Sequence, residues 1–253
     1  VVISSDIAVN VGYPADSPQQ VSTGCRIELT AGADIQFDKV GLAFAGPLVI
    51  AGGAQAGLQM QEASLAAPNV LVQLTNLEGN IKMEYSRIDA TAGNLDVRLD
   101  VISKIEVIGS RTGGAPSSQA AFAATGNISI AATRLHTAVY KDTGIVAGGT
   151  IAFTAPGSDI SIGFENSGAY AYNGDIRLDL AFNRNKVEID NASLIAVAGQ
   201  VSLVTRGAES LLSASNTAVQ AGTSVQVTSM GPKGEVKVGN GSIVAGGNIL
   251  LEG

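Results

Sequence analysis

The chain has 253 residues, of which 45% are hydrophobic and only 4% aromatic, with 31 glycines against 7 prolines. This composition is typical of many short strands joined by tight corners, and it argues against a helical fold. The formal net charge of −7 makes nucleic acid and anionic lipid poor partners, because both repel an acidic chain. The single cysteine, Cys25, excludes an internal disulfide framework and a multi-thiolate metal site.

One block recurs along the chain: a small corner residue, one or two mostly polar residues, and then apolar residues at alternate positions. In chain order it begins at Gly24, Gly46, Pro68, Gly93, Gly126, Gly149, Gly174, Gly199, Gly222 and Gly247. Successive residue numbers in this series differ by 22 to 25, except for a difference of 33 between Gly93 and Gly126. A nearly fixed period of this length is the signature of a solenoid.

Each period contains three alternating segments, such as IRLDL, VEID and SLIAVA after Gly174. The corners between them are too short for the helical crossovers of a doubly wound sheet. We therefore predict a single all-β domain over residues 1–253, a right-handed parallel β-helix of about ten three-strand turns. The main alternative is a two-sheet sandwich, which requires hairpins between adjacent strands.

The longest uncharged apolar stretch, residues 40–61, contains five glycines and alternates with period two. We read it as strands and corners, so we predict no insertion into a membrane.

The first two strands of each period place polar residues at alternate positions, as in Asp96 and Arg98 or Glu188 and Asp190. Both faces are therefore expected to be solvated. The third strand alternates alanine with larger apolar residues. If the alanines point inward, a candidate lateral contact surface faces outward, formed by Leu42, Phe44, Tyr170, Tyr172, Ile195 and Val197. Period two alone leaves the opposite register open, with the large residues in the core.

The two ends of the sequence are strand-like and show no amphipathic segment that would cover a stack. Because exposed strand edges template further strands, we predict head-to-tail assembly through Val1, Val2, Ile3, Ile249, Leu250 and Leu251. The alternative is that the sequence is a fragment of a longer rod.

The long interval between Gly93 and Gly126 holds an extra stretch rich in glycine, proline and serine, residues 111–119. We predict an inserted loop there and take Arg111, Thr112 and Gln119 as candidate contacts for a ligand or partner. A tolerated surface insertion is the alternative.

Little in the sequence indicates catalysis. His136 is the only histidine, and no nucleophile motif accompanies it. We predict no enzyme activity and no cofactor, with calcium at scattered corner carboxylates (Asp142, Asp159 and Asp175) as a weak alternative. A polysaccharide lyase or glycosidase would need carboxylates gathered on one face.

The segments GNLDVRL, GNISIAAT, GDIRLDL and SIVAGGNILLEG resemble the degenerate repeats of filamentous haemagglutinin-type exoproteins and other bacterial surface β-helices. The resemblance implies a secreted, rod-like protein at the cell surface, used for adhesion or for building extracellular fibres. We therefore expect an extracellular structural protein that polymerises with itself. An adhesin segment that binds glycans or host surface proteins is the second hypothesis, and a carbohydrate-active enzyme is the third.

Overall fold

The computed structural model describes residues 2–5, 9–12, 19–21, 27–31, 34–53, 57–75, 79–109, 120–157, 159–181 and 184–253. Regular structure in these residues consists of strands, without an α-helix. Accordingly, these ranges hold no helix long and apolar enough to cross a membrane.

The strands recur in a three-part order, which defines three faces of the molecule. The first face contains β1 (Val2–Ser5), β4 (Ile27–Ala31), β7 (Leu48–Gly52), β10 (Val70–Leu74), β13 (Leu95–Ile108), β15 (Ile128–Lys141), β17 (Ile151–Ala155), β20 (Ile176–Leu180), β23 (Val201–Arg206), β26 (Val225–Met230) and β29 (Ile249–Glu252). The second face contains β2 (Val9–Gly12), β5 (Ile35–Asp38), β8 (Leu58–Gln61), β11 (Gly79–Glu84), β18 (Ile160–Glu165), β21 (Arg184–Asp190), β24 (Glu209–Ser215) and β27 (Lys233–Gly239), together with the second halves of β13 and β15. The third face contains β3 (Gln19–Val21), β6 (Gly41–Phe44), β9 (Ser64–Ala67), β12 (Arg87–Ala90), β14 (Ala120–Ala124), β16 (Gly144–Ala147), β19 (Gly168–Ala171), β22 (Ser193–Ala196), β25 (Ala218–Ala221) and β28 (Ser242–Ala245).

Apart from the strands at the two ends of the described stack, each strand pairs in parallel with the equivalent strand of the turn before and the turn after. Leu178, for example, lies between Phe153 and Leu203 on the first face. Parallel stacking confirms the predicted β-solenoid and is incompatible with the hairpins of a sandwich. The right-handedness of the coil and its count of about ten turns stay predictions.

The long strands β13 and β15 pass from the first face to the second without a break, so the two faces share one 19-stranded sheet. Their sequences have no glycine or proline at the corner, whereas β17 and β18 are separated by Pro156 and Gly157. The third face forms a separate ten-stranded sheet.

The core consists of columns of inward side chains that repeat from turn to turn. On the first face, one column is large and apolar: Val97, Ile130, Phe153, Leu178, Leu203 and Val227. On the third face, a buried column is made of alanine: Ala67, Ala90, Ala124, Ala147, Ala171, Ala196 and Ala221. Small side chains in this column take up less of the core than the large apolar column of the first face does.

The corner between the second and third faces uses a left-handed backbone residue in most turns. In the later turns this residue is Asn166, Asn191, Asn216 or Asn240, with φ between 47° and 49°. Asparagine tolerates this conformation better than most residues. The side chains also form a ladder, because the Asn191 Nδ2 group donates to Asn166 Oδ1 at 2.7 Å and the Asn166 Nδ2 group donates to Asp142 Oδ1 at 3.1 Å.

The corner between the third and first faces is held by side-chain oxygens that accept backbone N–H groups of the next turn. Asn94 Oδ1 accepts from the Asn127 N–H at 2.8 Å, Asn127 Oδ1 from the Thr150 N–H at 2.7 Å, and Asp175 Oδ1 from the Gln200 N–H at 2.8 Å. These bonds lie outside the strand ladders, so they add a polar tie between successive turns.

Candidate assembly surfaces

The strands β27, β28 and β29 form an edge of the stack, because within the described residues each pairs on one side only, with β24, β25 and β26. Ile249 and Leu251 continue the inward columns of Val225 and Val227. Those two valines are 1% and 2% exposed, whereas Ile249 is 48% and Leu251 47% exposed. A further turn added in the same register would bury both side chains.

The other predicted end residues have different positions. Leu250 lies beside Gln226, so it belongs to the outward column of the first face. Its exposure of 47% is close to that of Ile249 and Leu251 and does not by itself distinguish the outward position from the inward ones. Val2 and Ile3 lie in β1, which pairs with β4. Val1 falls outside the described residues, as do the side chains of Val2 and Ile3. End-to-end contact through these residues stays a prediction.

The predicted lateral surface is wrong for two of its six residues. Phe44 is 8% exposed within the core, and Leu42 packs against the same core. The cause is that the corner between the third and first faces varies in length. Three residues separate Phe44 from Leu48, whereas four separate Ala196 from Val201. A rule that counts back from the corner glycine therefore assigns opposite directions to equivalent side chains in these two turns.

The other four residues lie on the outer side of the third face or at its edge. Tyr170 and Ile195 are neighbours in the outward column that also contains Val146 and Ala123. Tyr170 packs against Val146 and Ala123 in a small cluster outside the main core.

Tyr172 and Val197 follow the ends of β19 and β22 and are 49% and 55% exposed. The turn-to-turn stacking continues at this corner, because the Tyr172 N–H donates to Ala147 O at 3.0 Å and the Val197 N–H to Ala171 O at 2.8 Å. The four residues Tyr170, Tyr172, Ile195 and Val197 therefore belong to two successive turns, and their contact with a partner stays a prediction.

A groove of about 640 Å³ runs along the corner between the first and second faces. Its rim carries Asp159, Arg184, Glu209 and Lys233 from four successive turns, so the charge alternates in sign along the stack. Glu209 binds Lys233 Nζ at 2.7 Å and Arg184 Nε at 3.3 Å. The hydrogen bond and charge of Lys233, aided by Arg184, hold the pKa of Glu209 below its usual value.

His136 also lines this groove, and its side chain is exposed. The nearby carboxylates are engaged elsewhere: Asp159 Oδ1 accepts the Arg184 backbone N–H at 3.1 Å, and Glu209 is ion-paired. The groove therefore offers a surface of mixed charge, with its carboxylates held by cations and backbone.

The three carboxylates considered for calcium are not brought together. Asp142 lies at the corner between the second and third faces, Asp159 at the corner between the first and second, and Asp175 at the corner between the third and first. Within the ranges that the structure describes, no group of three or more His, Cys, Asp or Glu side chains is placed to share a metal ion.

The candidate loop contacts Arg111, Thr112 and Gln119 lie outside the described residues. The chain is described up to Gly109 and again from Ala120, where β14 begins. The loop prediction therefore stays a prediction.

Sequence reasoning missed the two polar ladders at the corners. The corner that holds the first ladder was visible as Asn166, Asn191, Asn216 and Asn240, whose residue numbers differ by 25, 25 and 24. A side-chain hydrogen bond joins two of these asparagines, Asn166 and Asn191. The second ladder was harder to see, because its residue type changes from Asn127 to Thr150 to Asp175 along the stack.

Comparison of the chain with family models, with curated proteins and with solved structures finds no match in any of the three. The parallel β-solenoid is consistent with β-helix proteins as a class, and the resemblance to filamentous haemagglutinin-type exoproteins rests on the repeats alone.

Proposed function

We propose that this chain is a non-enzymatic, extracellular structural protein whose rods join end to end into a filament. The observation that carries the proposal is the edge formed by β27, β28 and β29, where inward columns of the core are exposed. The extracellular location follows from the resemblance of the repeats to bacterial surface β-helices.

In this proposal a second copy of the chain occupies the edge. At the other end of the stack, β1, β2 and β3 each pair on one side within the described residues, with β4, β5 and β6. Both edges thus present three parallel strands, one per face, and a strand edge of one copy can extend the ladder of the next. A head-to-tail contact of this kind repeats indefinitely and produces a filament.

The energetics support this arrangement. Fully burying an aliphatic side chain stabilises a contact by roughly 1.5–3 kcal/mol, and Ile249 and Leu251 are each about half exposed. Val238, which continues the second-face column of Ala214, is 44% exposed and would be buried as well. Joining two edges also supplies backbone partners along three strands.

The test compares two neighbouring substitutions with the same change in charge. Leu251→Lys places an ammonium group in the inward column, and we expect it to abolish filaments in electron micrographs of the purified full chain. Leu250→Lys places the same group on the outer side of β29, and we expect filaments to persist. Circular dichroism checks that both variants keep the β fold. Filaments of Leu251→Lys as abundant as those of the wild type, or no filaments from the wild type, would overturn the proposal.

The groove favours a second candidate function, adhesion through a glycan or a surface protein. Its alternating charges could pair with a ligand that runs along the stack. Binding of the monomeric Leu251→Lys variant to a glycan array, lost on Glu209→Gln and Arg184→Gln substitution, would support adhesion. A blank array with a variant that folds would count against glycan recognition.

A further inference from the structure

We propose that Asn240 is a site of spontaneous deamidation, at which the backbone nitrogen of Gly241 attacks the side-chain amide and converts asparagine to a mixture of aspartate and isoaspartate. The chain has two Asn-Gly pairs, Asn173-Gly174 and Asn240-Gly241. The structure distinguishes them, because it encloses the first pair between two neighbouring turns and holds the second from one side. The reaction needs no partner molecule and does not depend on end-to-end joining.

The chemistry is an intramolecular acyl transfer. The Gly241 nitrogen gives its proton to solvent base and forms a bond to Asn240 Cγ. The bond from Cγ to Nδ2 breaks, the departing nitrogen takes up a proton and leaves as ammonia, and a five-membered succinimide ring remains. Water then adds to either ring carbonyl, and the ring opens to aspartate or to isoaspartate. Because nucleophile and amide belong to adjacent residues, the freedom of the local backbone controls the rate.

Asn240 belongs to a series of equivalent left-handed corners, which differ in the residue that comes next. Its φ of 47° matches the values of 48° and 49° at the three preceding asparagine corners. In those corners the next residue carries a side chain and is only 4% exposed: Ser167, Ala192 and Thr217. After Asn240 the next residue is Gly241, which is exposed. Without a Cβ atom its nitrogen is less shielded and its peptide rotates more freely.

The contacts with neighbouring turns also differ. The Asn216 N–H donates to Gly239 O of the following turn at 3.1 Å, so that corner is held from both sides. Within the described residues no turn follows β27, which pairs with β24 alone. The corner at Asn240 is held from the preceding turn, where the Ser242 N–H donates to Thr217 O at 3.0 Å. The peptide after Asn240 can therefore change conformation while contacts on one side alone are disturbed.

The pair Asn173-Gly174 has the same chemistry and a tighter environment. The Asn173 N–H donates to Gly148 O of the preceding turn at 2.9 Å. In the following turn the backbone approaches so closely that an ideal Cβ atom built on Gly199 would collide with Gly174 O. Closing the ring at Asn173 rotates this peptide, which requires both neighbouring turns to move. We therefore expect the folded chain to protect Asn173.

Deamidation would change the corner in two ways. Both products place a carboxylate where an uncharged amide stood, in a chain whose net charge is already −7. Isoaspartate also routes the backbone through the former side chain and lengthens the corner by one carbon atom. The strand β28 follows this corner directly and pairs with β25. Accumulation of isoaspartate should therefore loosen β28.

The test follows both asparagines by peptide mass spectrometry while the full chain is incubated at mildly alkaline pH. The Leu251→Lys variant is used, so that end-to-end joining does not cover the corner. We expect Asn240 to deamidate at least ten times faster than Asn173, at a rate that rises with pH. In denaturant the two sites should react at similar rates, because the turns that protect Asn173 are then lost.

Asn240→Gly, made in the same Leu251→Lys chain, is the matched control. Glycine suits the left-handed corner and has no amide to react. Hydrogen exchange in β28 should quicken during incubation of the parent and stay constant in Asn240→Gly; equal behaviour of the two would overturn the predicted loosening. The deamidation site itself is refuted if Asn240 keeps its amide over the time in which the unfolded chain loses it, or if both asparagines react equally in the folded chain.

Discussion

Tyr140 carries the sharpest stability prediction. It lies in β15, is 1% exposed, stacks on Phe164 with ring centroids 5.1 Å apart, and meets Phe153 edge to face at 5.6 Å. In the described part of the chain its hydroxyl has no hydrogen-bond partner. A buried polar group without a partner costs about 1–3 kcal/mol of folding free energy.

Tyr140→Phe keeps the ring contacts and removes the hydroxyl, so we expect it to stabilise the fold by about 1 kcal/mol. At this chain length that corresponds to a rise in Tm of about 2–4 °C. Chemical and thermal unfolding at pH 7 measure the change. Tyr172→Phe, which removes a half-exposed hydroxyl, is the control and should leave stability within about 0.5 kcal/mol of wild type.

Alkaline pH provides a second measurement on the same variant. Burial raises the pKa of Tyr140 far above the usual value near 10. Above that usual value the unfolded chain releases the proton and the folded chain keeps it, so wild-type stability falls as the pH rises. The loss attributable to Tyr140 should reach about 1.4 kcal/mol near pH 11 and be absent from Tyr140→Phe. The reasoning is refuted if Tyr140→Phe is less stable than wild type at pH 7 and loses as much stability as wild type at alkaline pH. That result would show that the hydroxyl has a partner.

Three further changes test the corners and the alanine column. Asp175→Ala removes the acceptor for the Gln200 N–H and should lower stability by about 1 kcal/mol, whereas Asp175→Asn keeps an acceptor and should cost less, as denaturant midpoints would show. Burial opposes ionisation of Asp175, but the Gln200 N–H and a nearby arginine outweigh burial and lower the pKa of Asp175. The stabilisation from the ionised carboxylate should therefore be present above about pH 4 and disappear as acidification passes through that lowered pKa. Asp175→Asn should not show this loss of stability at acidic pH. Gly222→Ala should reduce Tm, since its Cβ would collide with a carbonyl oxygen of the preceding turn, and an unchanged Tm would show that the corner relaxes freely. Ala196→Leu overfills the core and should cost about 1–3 kcal/mol, while Ala198→Leu, at an exposed corner, should be nearly neutral; equal effects in unfolding experiments would contradict the placement of the alanine column.

Much of the architecture could be predicted because its cause is local and repeated. A regular period with three alternating segments leaves one economical way to bury the apolar positions, which is to stack the turns in parallel. The outward charges on the first two faces were visible for the same reason, since Glu188 and Asp190 alternate with apolar neighbours in a single strand.

The direction of the third strand's side chains could not be read with the same rule. Phe44 and Ala196 end equivalent strands and both point inward, although their distances from the next corner glycine differ by one residue. A difference of one residue inverts the alternation, and the sequence alone contains no marker for the point at which each strand stops.

The candidate surfaces were likewise predictable only in part from the sequence. The sequence by itself determined that the chain is a repetitive all-β solenoid with an acidic, mostly solvated exterior, because periodicity and charge are properties of the order of residues. Only the tertiary structure decided that Leu251 continues the core while Leu250 does not, and that Tyr170 and Ile195 share an uncharged outer side. Those facts depend on the register between equivalent strands of successive turns, which is set by how neighbouring turns pack.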